Sequence, residues 1–136
     1  MKISRRRRTV WIVLLVLIFA LAAVTLLRLK SVYVGIAQSC AEEACLCFTE
    51  YLETGDPVAY RSGVSAFRSF ASAFRRMTED PARDCAGEIY GVLLNAPDRA
   101  GPRLPQLVGI LQALSADVQA PTAHADLLAL RNALTK

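Results

Sequence analysis

Four cysteines and one histidine are the residues of this sequence best suited to chemistry, and their spacing decides what chemistry is open to them. Cys40, Cys45 and Cys47 lie close together, Cys85 follows well downstream, and His124 stands alone. Thiolates with a histidine can hold zinc or form a nucleophile–base pair. Zinc sites usually take paired thiolates from turns, whereas Cys45-Leu46-Cys47 lies in a segment of helical periodicity. Helix positions two apart diverge by roughly 200°, so no metal site and no cofactor are expected. The same geometry restricts disulfides. Separations of five and seven residues correspond to ~7.5 and ~10.5 Å at the helical rise, beyond the Cα span that a bridge tolerates. At most one intrachain disulfide is expected, from Cys85 to Cys40 or Cys47, which share an apolar stripe. Cys45 points away from that stripe and reads as an exposed thiol, a second core contact or a link to another chain. The alternative for all four is service as small buried hydrophobes.

No other group of residues forms a catalytic constellation. Glu42, Glu43, Glu50 and Glu53 are accounted for by helix faces and ion pairs. Gly87 and Gly91, four apart on a helix, read as close packing and not as a phosphate-binding loop. His124 falls in a helix's first turn and reads as surface. An enzyme is not expected.

The net charge of +4 suggests a polyanion partner until its distribution is traced. Lys2, Arg5, Arg6, Arg7, Arg8, Arg28 and Lys30 hold 7 of the 16 basic residues, and no acidic residue precedes Glu42. From Ser31 onward 9 basic residues face 12 acidic ones, a net of −3. The basic excess belongs to the flanks of an apolar segment, so nucleic acid is not an expected partner.

That segment, Thr9–Leu27, is 19 residues without a charge, Gly or Pro. As a helix it covers roughly 28 Å, close to the hydrocarbon thickness of a bilayer. A transmembrane helix is expected there, with Trp11 and Tyr33 as interfacial aromatics. Arg5, Arg6, Arg7 and Arg8 outweigh Arg28 and Lys30, which places residues 1–8 in the cytoplasm as an Arg-rich tail. Residues 28–136 then form an extracytoplasmic domain, with membrane lipid as one partner. The rival is a cleaved signal peptide ending at Ala20-Leu21-Ala22, opposed by the apolar residues that continue through Leu27.

Beyond Lys30 the pattern is all-α, because no stretch alternates with a strand's period of two. Helices are expected near 28–53, 57–78, 81–95, 104–118 and 122–134, the first continuing the membrane helix, with a loop from Asn95 to Pro102. Asp56 and Asp80 precede Pro57 and Pro81 as helix caps. Tyr33, Ala37, Cys40, Ala44, Cys47 and Tyr51 form one apolar stripe; Tyr60, Val64, Phe67, Ala71 and Phe74 form the next. The short turn between them implies antiparallel neighbours, with Ala44 meeting Phe67, Ala37 meeting Phe74, Cys40 meeting Ala71 and Cys47 meeting Val64. The same register sets Glu50 against Arg61 and Glu43 against Arg68, exposed pairs worth ~0–1 kcal/mol each. It also brings Arg75 and Arg76 to the end nearest the membrane. Leu104, Leu107, Val108, Leu111, Leu114 and Val118, with Leu127, Leu128, Leu130 and Leu134, supply two further apolar faces. The expected fold is one transmembrane helix continuing into a small antiparallel helical bundle.

The run Glu50-Tyr51-Leu52-Glu53-Thr54-Gly55-Asp56-Pro57, after a membrane helix and a heptad-like helix, resembles a known arrangement. It is similar to the first hairpin of the four-helix-bundle sensor domains outside the membrane in bacterial chemoreceptors and sensor kinases. The resemblance spans residues 31–78 and implies ligand sensing, without assigning a binding residue. Those receptors return through a second membrane helix to an output domain, and neither is expected here. Two functions follow as expectations. One is an interaction or accessory module of a cell-envelope complex, with a protein partner or a second copy of the chain. The other is a ligand-sensing bundle whose pocket would draw on Tyr51, Tyr60 or Tyr90.

Overall fold

A computed structural model describes residues 4–136, and all regular structure among them is helical. Residues 1–3 of the expected cytoplasmic tail lie outside the described residues. The chain divides into two compact units, one ending at Val32 and the other spanning Tyr33–Lys136.

The first helix, α1, runs Arg5–Thr54, so it starts at the arginine cluster and passes Gly35 without interruption. Its portion in the first unit is long and apolar enough to cross a membrane, with a mean hydropathy of 3.1 and no buried residue in that window. Trp11, Phe19 and Leu21 are each about two-thirds or more exposed. The segment's two hydroxyls are turned onto the helix itself. Thr9 Oγ1 donates to the Arg5 carbonyl at 3.0 Å, and Thr25 Oγ1 to the Leu21 carbonyl at 2.8 Å.

In the second unit, α1 ends where Gly55 adopts φ 70° and its N–H reaches the Tyr51 carbonyl at 2.7 Å. That left-handed step favours glycine because a Cβ there crowds the backbone. Asp56 then caps α2 (Pro57–Met77), its Oδ1 accepting from the Val58 N–H at 2.9 Å. Such a cap contributes about 1 kcal/mol. Ahead of α3 (Ala82–Asn95) Pro81 is already helical, at φ −52° and ψ −27°, so the cap falls to Asp80, which accepts from the Ala82 N–H at 3.2 Å. The expected loop after Asn95 is instead a short helix, α4 (Pro97–Ala100), and a 3₁₀ turn (Gly101–Arg103). Prolines at the start of both supply a fixed φ and lack a donor that would go unpaired. α5 (Leu104–Ala116) and α6 (Pro121–Thr135) complete the chain.

α2 is amphipathic, turning Phe67, Phe70 and Phe74 into the core and its arginines and serines outward. Phe67, Phe70 and Phe74 are fully buried, their successive ring centroids 5.5 and 5.2 Å apart. α2 packs on α3, α3 on α6, and α5 on α6. Of the expected α5 and α6 faces, Val108 and Leu128 are half-buried and the other residues buried.

The α1 stripe is rotated slightly from expectation. Ala37, Ala41, Ala44 and Phe48 are fully buried, while Cys40 and Cys47 lie half-buried at its margin. Phe48 is decisive because its ring lies over Gly63 and 5.9 Å from the Tyr60 ring. Ala37, Ala44, Phe67 and Phe74 are all fully buried. Along the α1–α2 contact, Tyr51 meets Tyr60 at 5.1 Å between centroids, and Tyr33 Oη accepts from Arg76 at 2.9 Å.

Candidate functional site

All four cysteines are free thiols, which corrects the expected bridge from Cys85 to Cys40 or Cys47. The rotation of α1 explains part of this, and the placement of Cys85 the rest. Cys85 is buried on α3, its thiol donating to the Pro81 carbonyl at 3.5 Å. Cys45, expected to point away, reaches the Val108 carbonyl on α5 at 3.7 Å and so makes the second core contact. Burial is the main cause pushing all four thiols above their ordinary range. Glu43 pushes Cys40 and Cys47 further in the same direction. A thiol so placed is a weaker nucleophile at neutral pH than a free one, because less of it is thiolate. Among the described residues, no three His, Cys, Asp or Glu side chains are grouped so as to hold a metal ion.

His124 is not on the surface as expected; it is 6 % exposed. Its ring stands edge-on to Phe74 at 5.0 Å, continuing the aromatic ladder of α2. Nδ1 lies 3.2 Å from Asp80 Oδ2 and Nε2 2.7 Å from the Val118 carbonyl. His124 lies three positions before Leu127, on the same face of α6, which is the sequence signal for its burial.

The expected ion pairs do not form. Among the described residues the pairs within 4.0 Å are Arg75–Asp84, His124–Asp80 and Arg131–Glu88, and neither Glu43–Arg68 nor Glu50–Arg61 is one of them. Long exposed side chains gain little from pairing in water and lose rotamer freedom by it. Arg5, Arg6, Arg7 and Arg8 occupy the first turns of α1, all exposed.

Arg61 and Arg68 instead border a groove of about 500 Å³ that runs along α2 beside the α1–α2 turn and the end of α3. Tyr51, Tyr60 and Tyr90, three separate choices on sequence grounds, line this one groove. Tyr60 is held in place by its hydroxyl, which donates to the Leu93 carbonyl at 2.7 Å. That carbonyl belongs to the last turn of α3, where no helical N–H remains to satisfy it. Burial, and then the neighbouring Tyr51, raise the Tyr60 phenol above its ordinary range. Pro57, Leu94 and Pro97 complete an apolar end. Arg61, Ser65 and Arg68, spaced by four and three on α2, form a polar wall. No acidic residue lines the groove. Its volume falls within the range of small-molecule sites, roughly 300–1,000 Å³.

These features define a class: an all-helical chain with one long exposed apolar helix and, in its second unit, a groove of tyrosine and arginine. No protein-family model matches the chain, and no curated protein or solved structure matches it either.

Proposed function

We propose that the chain is a single-pass membrane protein in which Thr9–Leu27 anchors an extracytoplasmic helical bundle, and that the bundle is an interaction or accessory module of a cell-envelope complex. The observation that carries the anchor is the surface of α1 over Thr9–Leu27. Its apolar side chains are exposed, and its two hydroxyls are spent on the helix's own carbonyls. In hydrocarbon an unsatisfied polar group costs several kcal/mol, roughly, so an apolar segment whose hydroxyls are bonded to its own backbone suits lipid. The contacts of Tyr51 with Tyr60, Phe48 with Gly63 and Tyr33 with Arg76 support antiparallel packing of α1 against α2. The bias of Arg5–Arg8 over Arg28 and Lys30 supports a cytoplasmic N-terminus.

Two measurements test this reading. After alkaline carbonate extraction the full-length chain should remain in the membrane pellet. In intact cells an impermeant maleimide should label Asn132→Cys, at an exposed position of α6. A carbonate-soluble, shortened product would establish cleavage, and labelling only after permeabilisation would reverse the orientation.

The groove favours a second reading, a bundle that binds a small molecule. Convergence of three tyrosines on one cavity supports it.

A further inference from the structure

We infer that the groove between α2 and the end of α3 binds a small organic anion, a carboxylate carried on an aromatic or aliphatic body. This rests on the second reading above and adds the ligand's chemistry to it.

The two ends of the groove differ. At one, the rings of Tyr51 and Tyr60 stand 5.1 Å apart beside Pro57 and Leu94, offering apolar faces to a ring or alkyl chain. Tyr60 is tied to the Leu93 carbonyl, so this end is preorganised and its hydroxyl is already committed. Along the wall, Arg61, Ser65 and Arg68 present donors on one face of α2. Among the described residues neither guanidinium has a carboxylate within 4.0 Å or a hydrogen-bond partner. Both arginines therefore keep a full set of forked donors for a planar anion.

The charges also decide what is refused. With two guanidiniums and no acidic residue on the lining, an ammonium group would meet like charge and find no counter-ion. A simple carboxylate should therefore be preferred over a zwitterionic amino acid with the same side chain. A dianion without an apolar body would leave the tyrosine end unfilled.

The experiment uses the full chain in nanodiscs of zwitterionic lipid and follows ¹⁹F signals of three probes that share one ring. These are 4-fluorophenylacetate, its neutral amide and the cationic 4-fluorophenethylamine. Empty nanodiscs correct for partitioning into lipid. The carboxylate should bind saturably in the millimolar range, with the amide and amine at least ~10-fold weaker. Arg61→Gln and Arg68→Gln, both exposed, should each weaken the carboxylate about 3- to 10-fold while circular dichroism stays unchanged. Tyr51→Ala should weaken all binding at the site. Equal binding of amide and carboxylate, or indifference to both arginine variants, would overturn the anion and leave a ligand groove standing. No saturable binding by any probe would remove the anion and the ligand reading together.

Discussion

His124 Nδ1 lies 3.2 Å from the Asp80 carboxylate, joining the first turn of α6 to the cap of α3. The other ring nitrogen faces the Val118 carbonyl at 2.7 Å, which can only accept, so Nε2 donates. Asp80 meanwhile uses its other oxygen to cap α3. One carboxylate thus serves two elements.

The Asp80 carboxyl is held below its ordinary range, first by the Ala82 N–H and then by His124. Its folded value is the lower one, so its contribution is complete above the unfolded value of ~3.9 and is lost as pH falls through the folded value. Asp80→Asn should lower the melting temperature at pH 7, and the difference from wild type should shrink at pH below ~3.9. Thermal unfolding by circular dichroism across that range checks the sign. A deficit that stays constant down to acid pH would show that the carboxylate's charge is not the cause.

His124→Ala should cost about 2–4 kcal/mol, because it opens a cavity beside Phe74 and strips the Val118 carbonyl of its donor. Denaturant titration of the second unit's helices measures it. A change within ~0.5 kcal/mol would put His124 back on the surface.

A Cβ at Gly63 would stand 2.8 Å from two ring carbons of Phe48, whose ring is fully buried and has no room to retreat. Gly63→Ala should destabilise by about 1–3 kcal/mol despite its better helix propensity. Combining it with Phe48→Leu should recover part of that loss. Strict additivity of the two changes would mean that they do not touch.

Tyr60→Phe should cost about 0.5–1.5 kcal/mol, the net value of one hydrogen bond, while leaving the ring packed at a tilt against Tyr51. Amide exchange near the end of α3 should quicken, since the Leu93 carbonyl then lacks its donor. Unchanged exchange there would show that the hydroxyl does not hold the turn.

All four cysteines should alkylate in the denatured protein without prior reduction, since none is bridged. In the folded protein Cys85 should react slowest, being 1 % exposed. Each should react more slowly at pH 7 than a free peptide thiol, because each is pushed above its ordinary range. A thiol that labels only after reduction would contradict the free state.

Local order along the chain is enough to set much of this architecture. Caps and turns depend on residues within four positions of each other, which is why Asp56-Pro57 and Asp80 mark helix starts without any tertiary information. The Thr9–Leu27 segment is equally self-evident, because uninterrupted hydrophobicity is a property of composition. Rotation of a helix about its own axis is different. Stripes through Cys40 and Cys47 or through Ala41 and Phe48 share Ala37 and Ala44, and spacing alone cannot separate them. The choice falls to packing, where Phe48 finds the bare backbone of Gly63 on a neighbouring helix. The same holds for His124, whose ring nitrogens face Asp80 and Val118, and for the groove, whose tyrosines come from α1, α2 and α3. Each of those arrangements joins residues on separate helices or beyond a helix end, so only the folded chain brings them within range.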